Sequence, residues 1–263
     1  MPASLMTAFA WSALFLLAYV TAWFVLSLVL ARNDVADVAW GLGPTMLVWW
    51  LAFLTRVSNP LILPVAALVT LWGVRLAYHI ARRDFAPGRG EDPRYAAWRA
   101  EWKFFVVRSY LQVFLLQGLF MLLVSTPLIV LAASAGDRGP ALGILGALVW
   151  LVGFVLESTA DRQLATFLEE PRESRGAVMD RGLWSWSRHP NYFGESLMWW
   201  GLAIIALGAE WGWLGLLGPI TITLLLVFVS GIPLAEQRHA GEPEWEAYKQ
   251  RTSAFLPLPP RKP

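Results

Sequence analysis

Ser187 Arg188 His189 Pro190 Asn191 Tyr192 Phe193 Gly194 Glu195 crowds two bases, an amide, a phenol and a carboxylate into one short stretch, which runs straight into the apolar Ser196 Leu197 Met198 Trp199 Trp200. Pro190 has no amide proton to lose and suits a first helical turn, so the backbone donors of Asn191, Tyr192 and Phe193 would point at whatever lies beneath that terminus, a place for an anion. Asn191 and Glu195 stand one helical turn apart and share a face. Glu195 enters the membrane layer, where an unpaired carboxylate is costly and usually marks a site. The plain alternative is an interfacial cap with snorkelling charges.

Other ionisable residues recur at comparable places. Arg75 and His79 are one turn apart, as are Glu157 and Asp161; Asp37, Arg89, Glu236 and His239 complete the set. Carboxylates such as Glu157 and Asp161, on one face near hydrocarbon, repel unless hydrogen-bond donors or a cation lie between them, and they could hold ribose hydroxyls or an amide. Arg75 alone could snorkel, and His79 could merely donate to a carbonyl.

These residues must be carried by membrane helices. The chain has 263 residues, 57% of them hydrophobic and only 15% charged, with a mean hydropathy of +0.50. A soluble globule is typically about half apolar and about a quarter charged. Apolar runs at about 8–31, 38–54, 60–81, 108–133, 141–161, 194–209 and 211–233 are each near the roughly 20 residues that a helix needs to cross. The expectation is a single all-α domain over 1–263, a polytopic bundle of seven transmembrane helices. The first run lacks a charged lead-in and a cleavage site and reads as a retained helix. With no cysteine there is no disulfide, thiol nucleophile or thiolate metal site, and no His pair suggests a metal. Nothing points to nucleic acid or to an obligate protein partner.

Basic residues orient the bundle. Of the 21 Lys and Arg, only Arg56 and Arg138 would face outward and Arg75 lies within a span. The rest fall on the other side, which puts the N-terminus outside and the C-terminus in the cytoplasm. The polar residues then share the cytoplasmic half, and the expected object is a polar cavity open to the cytosol. Cytoplasmic loops at about 82–107 and 162–193 would roof it, and an interfacial tail at about 234–263 would lie along the surface. The first loop should be ordered and carry a short amphipathic helix from Ala96 to Phe105. Most basic residues are Arg, which holds phosphate in a planar bidentate way. No GxGxxG or P-loop pattern follows a strand, so any cofactor must be held by the bundle itself.

The stretches Asn33–Gly43 (NDVADVAWGLG), Trp72–Tyr95 (with WGVRLAYH and GRGEDPRY), Ala160–Leu164 (ADRQL), Val178–Gly201 and Ser230–Pro260 make the chain resemble bacterial integral-membrane proteins of the steroid 5-alpha-reductase family. That resemblance implies a seven-helix reductase of the inner membrane that uses NADPH to saturate a carbon–carbon double bond conjugated to a ketone, as in 3-oxo-4-ene steroids. It implies cofactor contacts at Arg188, His189, Asn191, Tyr192, Glu195, Glu157 and Asp161, with Arg75, His79 and Arg89 lining the third span and its loop and Glu236 to His239 covering from the tail. The ketone-polarising acid and tyrosine would be Asp37 and Tyr78. Hydride would go to the beta carbon while the acid stabilises the enolate. The lipophilic substrate would enter from membrane lipid and the dinucleotide from the cytosol. A membrane methyltransferase using S-adenosylmethionine shares an Arg-His-Pro-x-Tyr motif and is the competing reading.

Overall fold

The computed structural model describes residues 3–136, 140–171 and 175–261. Arg138, Arg172 and Lys262, used above to orient the chain, lie outside the described residues. The described residues are helical, and the nearest approach to sheet among them is an isolated bridge between Ser187 and Ser253. In chain order the helices are α1 (Ala3–Leu30), α2 (Val35–Leu54), α3 (Ile62–Asp84), α4 (Pro93–Glu101), α5 (Phe105–Val124, with a π-helical stretch at Tyr110–Leu115), α6 (Thr126–Ala133), α7 (Pro140–Glu169), α8 (Pro190–Ala206), α9 (Gly212–Gln237) and α10 (Pro243–Arg251).

Six of them, α1, α2, α3, α5, α7 and α9, are long and apolar enough to cross a membrane, where seven were expected. The missing one is α8, whose 17 residues span about 25 Å at 1.5 Å per residue, short of a hydrocarbon core of about 30 Å. The run expected over 108–133 also divides. Pro127 cannot donate to the carbonyl one turn back and its ring crowds that turn, so the chain resets at Ser125 (φ −81°, ψ 6°) before α6 begins. Helix also reaches further into the second loop than expected, because α7 continues to Glu169.

Contacts divide the chain into two compact units: Met1–Pro140 with Ala206–Leu217, and Ala141–Ile205 with Gly218–Pro263. The first unit is centred on α2 and α3. A side chain at Gly41 would meet the Gly73 carbonyl at 2.7 Å, and the Thr45 hydroxyl donates to both Gly41 O (3.1 Å) and Val69 O (3.2 Å), so these backbones are nearly in contact. Leu47, Val48, Leu51, Ile62 and Ala66 are fully buried between such approaches. The loop after α3 is held by polar contacts. Arg32 reaches the carbonyls of Asp84 and Gly90, Glu91 accepts from Arg99 at 2.9 Å and from the Asn33 amide at 2.6 Å, and Asp92 caps α4, with Pro93 in its first turn. That cap is why α4 begins ahead of Ala96.

In the second unit the C-terminal segment docks through its own aromatic residues. Trp245 and Tyr248 on α10 are buried, the Tyr248 hydroxyl donates to Trp184 O, and Arg251 pairs with Asp180. An amphipathic segment resting on lipid was expected there; its apolar face is spent on protein instead.

Candidate functional site

The second unit is built on four glycines. Gly146 and Gly153 on α7, and Gly194 and Gly201 on α8, each recur after two helical turns and so mark one face. A Cβ at Gly153 would meet Gly194 O at 2.6 Å, one at Gly194 would meet the Glu157 amide at 2.6 Å, and one at Gly201 would meet Gly146 O at 2.6 Å. Only hydrogen fits at these points, so α7 and α8 pack antiparallel with backbones touching. The same register brings Glu157 and Asp161 to the N-terminal end of α8. This seven-residue glycine spacing was present in the sequence and is the signal that the motif-based reading missed.

At that end Asn191 Nδ2 donates to Asp161 Oδ1 at 3.2 Å, and Asn191 Oδ1 is buried with no hydrogen-bond partner among the described residues. Glu157 is 2% exposed, Asp161 and Glu195 7%. Such depth for three carboxylates is costly unless donors meet them. The backbone donors thought to be free are fewer than expected, since the Phe193 amide already closes a helical bond to His189 O at 3.2 Å.

Arg188 and His189 do something different from their neighbours. Arg188 Nε and Nη2 both reach Glu236 Oε1 at 2.8 Å, its Nη1 donates to Thr252 O at 2.5 Å, and its amide donates to Ser253 O at 2.8 Å. His189 Nε2 lies 3.3 Å from the same Glu236 oxygen, while its ring stacks on Tyr192 at 5.2 Å and 5°. Burial pushes the His189 imidazole below its ordinary pKa, and the Glu236 hydrogen bond only partly opposes this. Arg188, His189 and Glu236 therefore clasp the C-terminal segment onto the start of α8. His239 is not drawn in: it is half-buried, near Glu242 at 3.1 Å and against Trp245.

In the first unit, Asp37 and Tyr78 are not brought together. Tyr78 is 67% exposed. Asp37 accepts instead from Arg94 Nη2 at 2.8 Å and from the hydroxyl of buried Tyr95 at 2.7 Å, which ties α4 to the first turn of α2. Burial first, then the Asp37 charge, hold the Tyr95 phenol well above its ordinary pKa, so its proton stays in that bond. Arg89 is exposed and braces its own loop through Arg83 O. Arg75 and His79 are half-buried on α3.

Residues 23–252 match the family described as "Protein of unknown function (DUF1295)". The chain belongs to that family. An uncharacterized protein of Schizosaccharomyces pombe is 26% identical over 239 residues, covering 77% of this chain and 65% of that protein. Steroid 5-alpha-reductase DET2 of Arabidopsis thaliana is 35% identical over 74 residues, 28% of this chain and 26% of that enzyme. The chain thus spans less than two thirds of the length of either curated relative. No solved structure matches it.

Proposed function

We propose that this protein is a membrane reductase that binds NADPH through its second unit and saturates the double bond of a lipophilic enone such as a 3-oxo-4-ene steroid. The observation that carries this reading is the Asn191–Asp161 pair, a half-buried amide held by a carboxylate, with its own carbonyl oxygen buried and without a partner among the described residues. Those acceptors fit a nicotinamide riboside. Asn191 Oδ1 can accept from a carboxamide amine, and Asp161 has capacity to accept from a ribose hydroxyl. The similarity to a steroid 5-alpha-reductase supports the same chemistry. Bound NADPH would supply the hydride. The close approach of α7 and α8 at their glycines fixes Asn191 against Asp161.

Binding of NADPH and of S-adenosylmethionine to the detergent-purified protein tests the proposal. NADPH is expected to bind, and Asn191→Ala to weaken it roughly tenfold, the loss of about one well-made buried hydrogen bond. Binding of S-adenosylmethionine alone would replace the reductase with the methyltransferase.

A further inference from the structure

The corner between α4 and α5 leaves apolar surface uncovered. Phe104 sits in the left-handed region at φ 55°, which is strained for a bulky side chain, and yet its ring is 83% exposed. Val106, Val107 and Leu111 are exposed beside it. Two cations flank this surface. Lys103 is exposed, the Arg108 guanidinium lies 4.6 Å from the centre of the Trp102 ring, and neither meets a carboxylate among the described residues. One turn further along the span, Gln112 presents an exposed amide, which also has no hydrogen-bond partner among the described residues. Beyond it a groove of about 150 Å³ opens between α1 and α5, lined by apolar residues throughout, with Leu115, Leu119 and Leu122 on its α5 side. Leu17 and Leu119 at its edges are exposed, and Gly118 forms its floor, where a Cβ would meet Val20 at 3.1 Å.

We infer that this side of α5 binds one anionic phospholipid. The order of groups along the helix carries the inference: cations, then an amide, then an apolar groove, as a phosphate, glycerol esters and acyl chains follow one another into a bilayer. Arg108 and Gln112 are four residues and about 6 Å of rise apart, and Leu115, Leu119 and Leu122 follow at three- and four-residue steps on or beside the same face. From Gln112 to Leu122 the helix rises about 15 Å, half of a hydrocarbon core of about 30 Å, so the groove ends where one leaflet's chains end. Arg108 donates to the phosphate from the edge of its guanidinium while the face stays on Trp102, and Lys103 adds a second charge. The Gln112 amide donates to an ester carbonyl, a partner that hydrocarbon lacks. The groove takes part of one acyl chain, and Phe104, Val106 and Val107 rest at the boundary of headgroup and chain, where apolar rings are stabilised. A zwitterionic headgroup would bring its own ammonium against Lys103 and Arg108, so the site favours net negative charge. This inference stands apart from the reductase reading.

The test titrates the full chain in detergent with phosphatidylglycerol or with phosphatidylcholine of matched chains and counts retained lipid by native mass spectrometry. It compares wild type, the double variant Lys103→Gln with Arg108→Gln, the charge-keeping Arg108→Lys, and Gln112→Leu. Expected in wild type is one phosphatidylglycerol per protein, preferred over phosphatidylcholine by about tenfold; the double variant loses that preference and Arg108→Lys keeps most of it. Gln112→Leu should weaken both lipids about fivefold, the loss of one hydrogen bond. The changed side chains are exposed or half-buried, so melting temperatures in lipid-free detergent should stay at the wild-type value. Equal retention of the two lipids by wild type, or a preference that survives the double variant, would overturn the site. Release of phosphatidylglycerol by millimolar inorganic phosphate would overturn it in favour of a simple anion site. A dimer mass in wild type that Gln112→Leu abolishes would give this face to a second copy of the chain.

Discussion

Arg188 belongs to the stretch that reads most like a ligand motif, yet its donors are taken up by Glu236 and by the Thr252 carbonyl. A residue type announces its chemistry; its partner, far along the chain, decides whether that chemistry is free. Glu236→Gln should therefore act on stability first, costing about 2–4 kcal/mol by leaving a largely buried guanidinium without its counter-charge, as read by chemical unfolding in detergent. His189 makes the same region sensitive to acid. Its imidazole is held neutral by burial, so the unfolded chain takes up a proton near its ordinary pKa of about 6.5 before the folded one does, and stability falls as pH drops through and below that value. Melting temperatures between pH 7.5 and 5.5 should show a steeper decline for wild type than for His189→Gln. The tyrosine that meets Asp37 is Tyr95 and not the Tyr78 expected beside it, because Tyr95 reaches it from a separate helix that spacing within α3 cannot foresee. Tyr95→Phe should lower stability by about 1–2 kcal/mol, one buried hydrogen bond to a carboxylate, and leave NADPH affinity unchanged.

At the scale of elements, apolar run length made most of the helices legible, and local chemistry explains where it failed. Pro127 divides a run that is apolar throughout, and α7 runs into a segment too polar to be counted as span because helix needs no apolar face once it leaves the membrane. The α7–α8 register was legible in principle from the four glycines, but only by reading absent side chains as contacts. Gly153→Ala tests that register. Its Cβ would sit 2.6 Å from Gly194 O and 2.8 Å from the Met198 amide, both backbone atoms that no rotamer change can move. The expected result is a loss of about 3 kcal/mol or more and weaker NADPH binding, since Asn191 and Asp161 are carried on the helices forced apart. Gly90→Ala, where a Cβ meets nothing within 4 Å, should change neither.

At the scale of the molecule the topology turns on α8, because an even number of spans returns the chain to the side where it began and an odd number does not. Its 17 residues are short by composition and length alone, but its neighbours are spans. Along one face it lies against α7 from Gly194 to Gly201, and on another the Ser196 hydroxyl meets the Thr223 hydroxyl of α9 at 2.6 Å. Were α8 carried across with those neighbours, local thinning of the bilayer or the turn that follows Ala206 would make up its shortfall. Seven crossings would then put the N-terminus outside and the basic loops within, the side on which the positive-inside rule places Arg and Lys. The chain has no native cysteine, so single replacements report without background. Cysteines at Ser58, between α2 and α3, and at Glu242, after α9, labelled in intact cells with a membrane-impermeant maleimide, read that count directly. Seven crossings with the N-terminus outside require labelling at 58 together with protection at 242. Labelling of both positions, or of neither, would return α8 to the status of a buried half-span and leave the bundle with six crossings.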